Sequence, residues 1–229
     1  MSSPCVAIPA LECGRTIGTV VAGVQEHVPG MRVVVVDDGS RDDTGARAAA
    51  RGAVVLRHVR RGGKGAALAT GFAWALAHGH DAVATLDGDG QHAPAELPKL
   101  LAAHRREPEA LIVGARAITH RHGPMPGLNQ VGNRVSTYFI GLFAGQPVGD
   151  SQSGFRVYPG GLIREPPRTS GFEVESELLL RAAQLGLDIR PVTISTIYQP
   201  PEERTTHFRK VTDTLRIIAL VLRQARWRA

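Results

Sequence analysis

The sequence predicts an α/β fold in which helices cover both faces of a mostly parallel sheet. Short apolar runs alternate with segments of helical periodicity through the first half of the chain, and this alternation is typical of consecutive β-α-β units. Residues 33–36 are an unbroken run of valines, as expected for a strand that is buried on both faces. A length of 229 residues suits one such domain and is short for two.

In the first half we predict strands at residues 5–8, 33–36, 53–57, 82–86 and 111–114, and helices at 16–28, 43–51, 64–78 and 94–106. Ile17, Val20 and Val24 illustrate the helical spacing of apolar residues in the first of these helices. Gly79 is placed to end the third helix, and Pro94 to begin the fourth.

The second half follows a looser pattern. We predict a mobile Gly/Pro-rich loop at residues 120–129, helices at 133–144 and 175–185, and a polar segment leading into a strand at 150–158. Two extended segments divided by Pro191 follow at residues 189–197, and a last helix begins near Val211. No internal repeat or linker interrupts the sequence, so we expect residues 1–229 to form one domain.

The excess positive charge lies at the end of the sequence. The net charge is +6, and the basic and acidic residues up to Glu203 balance each other. After Glu203, seven Arg or Lys residues stand against Asp213 alone. A basic segment of this kind favours a local anionic partner such as a membrane surface, and we expect no nucleic-acid partner.

Cysteine content and the length of the apolar runs bear on the cellular localisation of the protein. Cys5 and Cys13 form neither a disulfide framework nor a C-x-x-C metal pair. The start of the sequence lacks the pattern of a signal peptide. The longest apolar run, at residues 217–222, is far below the roughly 20 residues that a membrane span needs. We therefore expect a cytoplasmic protein that is attached to a membrane at most from one side.

Polar motifs follow three of the predicted strands. They lie at residues 9–14, 37–40 and 87–92. Ligands of open α/β sheets bind beyond the carboxyl ends of the strands. Because three strand ends carry such motifs, we predict a single site at that edge of the sheet.

The motif with the clearest chemistry is Asp87-Gly88-Asp89-Gly90-Gln91. Two carboxylates and an amide at alternating positions supply the oxygen ligands that Mg²⁺ or Mn²⁺ prefers, and such ions commonly share their coordination with substrate phosphates. The alternative is a solvated Asp/Gly turn, which is the more common meaning of an isolated D-x-D.

Two further motifs are compatible with nucleotide binding. Asp37 and Asp38 end a strand, where a carboxylate can accept hydrogen bonds from a base or ribose, or can form a turn that caps the next helix. Lys64 follows Gly62-Gly63 at a predicted helix start, which suits an anion, although the segment lacks P-loop spacing and is also compatible with a solvated loop.

Taken in order, the motifs resemble family 2 glycosyltransferases, and among these the dolichol- or polyprenol-phosphate mannosyltransferase-like branch. They are Pro9-Ala10-Leu11, Val35-Val36-Asp37-Asp38-Gly39-Ser40, Gly63-Lys64-Gly65-Ala66-Ala67, Asp87-x-Asp89-x-Gln91-His92, Gly114-x-Arg116, Asp150-x-Gln152-Ser153-Gly154-Phe155-Arg156, Gly171-Phe172-Glu173-Val174-Glu175-x-Glu177, Thr196-Ile197-Tyr198, Thr206-His207-Phe208 and Asp213-Thr214-Leu215-Arg216-Ile217. The resemblance implies a GT-A-type domain, a nucleotide-sugar donor such as a GDP- or UDP-sugar, a divalent Mg²⁺ or Mn²⁺ cofactor, and a polyprenyl phosphate or other lipid-linked acceptor.

The resemblance also implies roles for individual residues. Donor binding would involve Pro9, Leu11, Glu12, Asp37, Asp38, Lys64, Asp87 and Gly88. Asp89 and Gln91, with Asp87 beside the donor, would hold the metal on the diphosphate, and Arg116 would face a phosphate. Gln152, Ser153 and Glu175 would line the sugar and acceptor side, and Arg204 and His207 would belong to a loop that closes over the site.

One position departs from the family pattern. Where the family has Asn-Glu after the first strand, this chain has Glu12-Cys13. Either Glu12 substitutes from a shifted position or the base is recognised differently, so the identity of the nucleotide stays open.

The acceptor decides whether a general base is needed. The family inverts the anomeric centre by in-line attack. A lipid phosphate is already anionic, whereas a hydroxyl acceptor must lose a proton, and Glu175 is then the candidate base. Its alternative role is electrostatic, at the start of the helix predicted for residues 175–185.

The last predicted helix also bears on the nature of the acceptor. Arg209, Arg216 and Arg223 recur every seven residues among Leu, Ile and Val, and Trp227 lies near the end. A basic stripe beside a broad apolar face at residues 209–228 favours a helix that lies in a membrane interface, and the alternative is a helix packed on the core or on a second subunit.

Two other functional classes share part of this sequence pattern. A sugar nucleotidyltransferase shares the layout and Mg²⁺, but such enzymes have a basic Gly-rich loop after the first strand, unlike residues 9–14. A catalytically silent nucleotide-sugar-binding module would fit the Glu12-Cys13 change and would not explain the intact Asp87, Asp89 and Gln91 set.

Overall fold

A computed structural model of the protein describes residues 4–116 and 127–195, except for the side chains of residues 127–132, 134 and 135. Within these residues the core is one seven-stranded sheet with the strand order β3-β2-β1-β4-β6-β5-β7. The strands are β1 (Cys5–Ala10), β2 (Val33–Asp37), β3 (Val54–Arg57), β4 (Ala82–Thr85), β5 (Leu111–Arg116), β6 (Arg156–Pro159) and β7 (Ile189–Ile194). All neighbouring pairs are parallel except those that β6 makes with β4 and β5, so the predicted mostly parallel α/β fold is confirmed.

The helices are α1 (Ile17–His27), α2 (Thr44–Ala50), α3 (Lys64–Ala77), α4 (Leu97–Arg106), α5 (Gly127–Ala144), α6 (Gly160–Ile163) and α7 (Val174–Gln184). A 3₁₀ turn, Pro94–Glu96, leads into α4. The side chains of β1 alternate between the two sheet faces, as a period of two requires. Val6 and Ile8 pack with residues of α1 and α4, while Cys5 and Ala7 pack with residues of α3, α5 and α7. The sheet therefore has helices on both faces, as predicted.

Two details of the second half differ from the sequence prediction. Gly127, Leu128 and Asn129 begin α5, so they are helical and do not belong to a loop. Pro191 does not divide an extended segment, because β7 continues through it and pairs it with Val113 of β5. A proline is tolerated here because β7 is an edge strand, where an amide that points away from the sheet needs no partner.

Some predictions concern residues outside the described ranges. These are the part of the Gly/Pro-rich loop at 120–126, the last helix from about Val211, and the positions Arg204 and His207. Among the residues that the structure describes, no helix has both the length and the apolar character needed to cross a membrane.

Candidate active site

The carboxyl ends of β1, β2 and β4 open into one cleft, as expected from the positions of the polar motifs. The cleft encloses about 110 Å³. It is lined by Pro9, Ala10, Leu11, Cys13, Asp38, Arg61, Gly63, Lys64, Ala67, Asp87, Gly88, Asp89 and Phe172. Of the residues predicted to bind a donor, Pro9, Leu11, Asp38, Lys64, Asp87 and Gly88 lie here.

Lys64 links a carboxylate predicted for the donor side to one predicted for the acceptor side. Its Nζ lies 2.6 Å from Oδ1 of Asp87 and 2.5 Å from Oε1 of Glu175. Asp87 follows β4, whereas Glu175 lies in the first turn of α7. The side chains of Lys64 and Glu175 are almost fully buried. One ammonium group therefore fixes two carboxylates that the sequence places far apart.

The ion pairs keep these groups charged. Burial alone would raise the pKa of the Asp87 carboxyl, but the Lys64 ammonium, together with His92, holds that pKa well below its usual range. Burial would likewise lower the pKa of Lys64, yet Asp87 and Glu175 raise it above its ordinary value. Asp87 is thus ionised at neutral pH and already neutralised by a protein cation.

Asp89 has a different electrostatic environment. Burial raises the pKa of its carboxyl, and the nearby charge of Asp87 raises it further. Its Oδ1 accepts a hydrogen bond of 3.0 Å from the backbone N–H of Gln91. The adjacent Cys13 thiol is also affected, since burial and then the charges of Asp89 and Asp87 raise its pKa to about 12. Lys64 and His92 offset the rise at Asp89 only in part, so the carboxyl of Asp89 keeps a raised pKa.

This environment suits a divalent cation completed by a substrate. Among the described residues no group of three or more His, Cys, Asp or Glu side chains forms a metal site by itself. Asp87 and Asp89 provide two carboxylates at the cleft, which fits Mg²⁺, because that ion is commonly held by one or two carboxylates with waters and substrate phosphates. A cation beside Asp89 would offset both causes of its raised pKa. The residues present therefore fit the ion that the sequence implies.

Glycine at position 154 allows the backbone to approach the ion pair between Lys64 and Asp87 closely. A Cβ atom there would lie 2.7 Å from both Oδ2 of Asp87 and Nζ of Lys64. Thr85 donates a 2.7 Å hydrogen bond to the Gly154 carbonyl. The buried Arg156 donates to the carbonyls of Ser151, Ser153 and Glu175. The segment leading into β6 thus supports the site, and the antiparallel direction of β6 is what brings it to this edge.

The start of α3 is not open to an anion in the way that the sequence suggested. Gly65 donates its backbone N–H to the carbonyl of Ser170 at 2.8 Å. A Cβ at Gly65 would lie 1.9 Å from the carbonyl oxygen of Thr169. Glu177 holds that loop by accepting hydrogen bonds from Arg168 and Thr169. The glycines around Lys64 therefore allow close packing against the loop before α7.

Asp38 and Asp37 point to different places. Asp38 lines the cleft and accepts hydrogen bonds from the backbone N–H groups of Gly62 and Gly63, and its Oδ1 lies 2.7 Å from Nδ1 of His58. Asp37 is 0% exposed, accepts the Ser40 N–H through Oδ1, and directs Oδ2 towards α2. Asp38 contacts the cleft, whereas Asp37 supports the turn behind it.

Glu12 lies at the rim of the same turn. Its φ of 52° places it in the left-handed region, which is uncommon for a residue other than glycine. Its N–H donates to the Ser40 hydroxyl, and its carboxylate accepts the N–H of Arg41. Glu12 therefore ties the loop after β1 to the loop after β2, while Cys13 is the member of the pair that lines the cleft.

The residues predicted for the acceptor side form a separate network. Arg116 donates to both oxygens of Asp150, with Nε 2.6 Å and Nη2 3.1 Å away. Burial would raise the pKa of Asp150, but Arg116 keeps it below its usual range. The backbone N–H of Gln152 also donates to Asp150, and the buried Ser153 hydroxyl accepts the N–H of Phe155. A phosphate role for Arg116 and acceptor contacts of Gln152 and Ser153 stay predictions.

Sequence reasoning assigned no role to two residues that support the centre of the site, and a different contact to a third. Gly154 and Arg156 were part of a motif but received no role, and Lys64 was expected to contact an anion of the substrate. A glycine between Ser153 and Phe155 was the available signal, since glycine permits a close approach of the backbone. Pairing between Lys64 and Glu175 had no signal in the sequence because it depends on how α3 and α7 pack.

Comparison with known proteins agrees with this arrangement. Residues 5–164 match the family described as Glycosyl transferase family 2. A UDP-N-acetylglucosamine–dolichyl-phosphate N-acetylglucosaminyltransferase of Methanococcus voltae is 30% identical over 212 residues, covering 83% of this chain and 84% of that protein. An undecaprenyl-phosphate mannosyltransferase of Micrococcus luteus is 29% identical over 202 residues, covering 83% and 82%.

A solved structure shows the same architecture. Glucosyl-3-phosphoglycerate synthase of Mycobacterium tuberculosis, in complex with Mn²⁺, UDP and glucosyl-3-phosphoglycerate, superposes with a TM-score of 0.73. The identity is 23%, and the match covers 96% of this chain and 79% of that chain. The fold is therefore of the GT-A type, and the chain belongs to glycosyl transferase family 2.

Proposed function

We propose that this protein transfers a sugar from a nucleotide-sugar donor to a polyprenyl phosphate, with inversion and with the help of Mg²⁺ or Mn²⁺. The observation that carries the proposal is the pair Asp87 and Asp89 at the carboxyl edge of the sheet, where both carboxylates line the same cleft. The relatives named for transfer to dolichyl and undecaprenyl phosphate support the acceptor class.

Donor binding would place the diphosphate next to Asp89. Pro9, Leu11 and Cys13 line the part of the cleft nearer to β1, and Arg61 contributes positive charge. A divalent ion held by Asp89 and the diphosphate, with Asp87 and Gln91 beside it, would stabilise the charge that develops on the leaving nucleoside diphosphate. Lys64 holds Asp87 in one position, so the cleft needs little reorganisation as the bond breaks.

The surroundings of Glu175 favour a phosphate as the nucleophile. Glu175 is the candidate general base for a hydroxyl acceptor, but it is 3% exposed and its Oε1 lies 2.5 Å from Lys64. A base must come within hydrogen-bond reach of the proton that it takes. A phosphate monoester is already anionic and needs no such base. Transfer to a soluble hydroxyl is the second candidate, and it would require Lys64 to release Glu175.

Family membership weighs against the two other classes considered from the sequence. The relatives reported for this chain are named as sugar transferases and not as nucleotidyltransferases. A silent binding module would have no need of Asp87, Asp89 and Lys64 together at one cleft. A sugar-transfer assay distinguishes all three.

Membrane attachment through the basic segment 209–228 forms part of the proposal. Each Arg near an anionic surface adds on the order of 1 kcal/mol, and salt weakens the attraction. We expect the protein to act at the cytoplasmic face of a membrane. Full-length protein should sediment with anionic vesicles at low salt, whereas a chain ending at Asp213 should remain in solution.

The metal proposal is tested by the substitution Asp89→Asn. An amide lacks the charge that holds the ion, so we expect transfer to be lost while the melting temperature without ligand stays within a few degrees of that of the unsubstituted protein. Asp43→Asn is the matched control, because Asp43 is an exposed carboxylate paired with Arg47 on α2. Near-normal turnover of Asp89→Asn at limiting Mn²⁺ would show that the metal assignment is wrong.

The donor can be identified independently of the acceptor. UDP-, GDP- and dTDP-sugars are screened with Mn²⁺ by thermal shift. The sugar with the correct nucleotide should raise the melting temperature of the protein, since a ligand that binds the folded state stabilises it. The shift should disappear in Asp89→Asn. Equal shifts with and without Mn²⁺ would argue against a shared metal–diphosphate site.

A further inference from the structure

His58 follows directly after β3, and both of its ring nitrogens have a partner. Its backbone N–H donates to the carbonyl of Asp37 at 2.9 Å, which extends the pairing of β3 with β2. Nδ1 lies 2.7 Å from Oδ1 of Asp38, and Nε2 lies 2.9 Å from the hydroxyl oxygen of Thr70 on α3. The side chains of His58 and Asp38 are 19% and 5% exposed. His58 therefore connects a carboxylate of the cleft to the helix beside it.

The direction of the hydrogen bond to Asp38 follows from the chemistry of its partners. A carboxylate only accepts hydrogen bonds, so the hydrogen between His58 and Asp38 lies on Nδ1. A hydroxyl both donates and accepts, so Thr70 can bond Nε2 in either state of the ring. The contact with Asp38 is therefore present whether the imidazole is neutral or protonated. It is a hydrogen bond to a charged group, which is the stronger kind.

Asp38 fixes the turn that precedes α3. Its Oδ1 also accepts the N–H of Gly62 at 2.8 Å, and its Oδ2 accepts the N–H of Gly63 at 2.7 Å. Gly63 has a φ of 96° and directly precedes Lys64, the first residue of α3. Three hydrogen-bond donors thus converge on one carboxylate, and the position of that carboxylate determines the position of the turn.

The same turn forms one side of the cleft. Asp38, Arg61, Gly63 and Lys64 are all among the residues that line it. The loop after β2 packs directly against the turn, since a Cβ on Gly39 would lie 2.9 Å from the backbone nitrogen of Arg61. A shift of Asp38 would therefore change the shape and the charge of this side of the cleft.

We propose that His58 is a positioning residue for the nucleotide-sugar donor, and that it acts through Asp38 on the side of the cleft formed by residues 61–64. The inference rests on the proposed function, because that function assigns the donor to this cleft. Two adjacent glycines restrain the backbone weakly, so the imidazole is the more rigid of the partners that hold Asp38.

A role in stability alone predicts a different kinetic result. Partial unfolding would lower the concentration of active enzyme, and with it the apparent kcat, while the remaining molecules would keep their KM. A displaced Asp38 would weaken contacts that the donor makes both before and during the reaction, which raises KM and leaves kcat nearly unchanged. The ratio of the two effects therefore separates positioning from stability.

The test compares two amides at position 58. In His58→Asn the amide nitrogen occupies the place of Nδ1 and can donate to Asp38. In His58→Gln the longer side chain brings the amide to the place of Nε2, where it reaches Thr70 instead. Binding of UDP, GDP and dTDP with Mn²⁺ is measured by isothermal titration. We expect His58→Gln to raise the dissociation constant of the nucleotide that binds about tenfold, and His58→Asn to raise it less than about threefold.

A matched control and a double variant complete the binding experiment. His78→Asn removes an exposed imidazole at the far end of α3, where it contacts the carbonyl of Trp74, and it should bind nucleotide as the unsubstituted protein does. In an Asp38→Asn background, His58→Gln should add less than about a twofold loss, because two members of one network are not additive.

Kinetics then test the expected split between KM and kcat. The substrates are the nucleotide-sugar found by thermal shift and a short-chain polyprenyl phosphate. His58→Gln should raise the donor KM about tenfold and keep kcat within about threefold of the unsubstituted protein. His58→Asn should restore most of the donor KM.

Three results would overturn the role of His58 and leave the proposed function standing. They are nucleotide binding by His58→Gln at the level of the unsubstituted protein, equal losses in His58→Asn and His58→Gln, and a fall in kcat with an unchanged donor KM. Failure of the unsubstituted protein to bind any of the three nucleotides with Mn²⁺ would instead overturn the proposed function and this inference together.

Discussion

Replacing Lys64 by methionine tests the ion-pair network at the centre of the site. Methionine keeps most of the length of the side chain and removes its charge. In the native protein the ammonium lies 2.6 Å from Asp87 and 2.5 Å from Glu175. After the substitution, two carboxylates would face each other across a buried space, and Glu175 would be the less hydrated of the two.

The expected loss of stability follows from burial. Removing one partner of a buried ion pair costs about 3–5 kcal/mol, because the remaining charge is left without compensation. Asp87 keeps some contact with water and with His92, so Glu175 accounts for most of the cost. We therefore expect Lys64→Met to lower the free energy of unfolding by about 3–5 kcal/mol.

Urea denaturation followed by circular dichroism at neutral pH measures this effect. Arg47→Met is the matched control, since Arg47 and its partner Asp43 are both exposed on α2, where a salt bridge contributes about 0–1 kcal/mol. The double variant Lys64→Met, Glu175→Gln should recover part of the loss because it removes the buried charge. Equal, small effects of Lys64→Met and Arg47→Met would refute the reasoning.

Other predictions address the surroundings of this network. Gly154→Ala should lower kcat at least about tenfold, since its Cβ would lie 2.7 Å from the Lys64–Asp87 ion pair, whereas Gly161→Ala, with no atom within 4 Å, should be neutral in the same assay. Because the pKa of Asp150 is lowered in the folded protein, its contribution to stability is present above the ordinary carboxyl pKa of about 3.9 and is lost as the pH falls through the lower folded value. Asp150→Asn should therefore flatten the acid limb of a stability–pH profile, and an unchanged profile would contradict this. Asp37→Ala should raise KM more than it lowers kcat, because it loosens the turn beneath the cleft, and it should cost about 1–3 kcal/mol in urea denaturation; an unchanged KM with a collapsed kcat would contradict this role.

The direction of neighbouring side chains explains one limit of prediction from sequence. The sequence located the pair Asp37 and Asp38 at a strand end but treated both as donor ligands. In the structure β2 includes Asp37, so Asp37 points to the same sheet face as Val35, where α1 and α2 pack. Asp38, the first residue beyond β2, turns into the cleft. A difference of one residue in the end of a strand decides which carboxylate lines the cleft, and donor contacts of Asp37 and Asp38 stay predictions.

Pairing between distant segments explains a second limit of prediction from the sequence. The periodicity of apolar residues was sufficient to predict β1 to β5 and the helices between them, since that signal is local. The antiparallel direction of β6 and the pairing of Lys64 with Glu175 depend on how distant segments pack. No local pattern specifies either, and both determine how the site is assembled.

The most direct test of the account is a transfer assay read by mass spectrometry. The protein is incubated with Mn²⁺, the nucleotide-sugar found by thermal shift and a short-chain polyprenyl phosphate. We predict a new polyprenyl phosphate that carries one sugar, formed only with the metal and absent in Asp89→Asn. No sugar-linked lipid with any nucleotide-sugar, or equal product after the metal is chelated, would contradict the claim that this cleft performs metal-assisted transfer to a lipid phosphate.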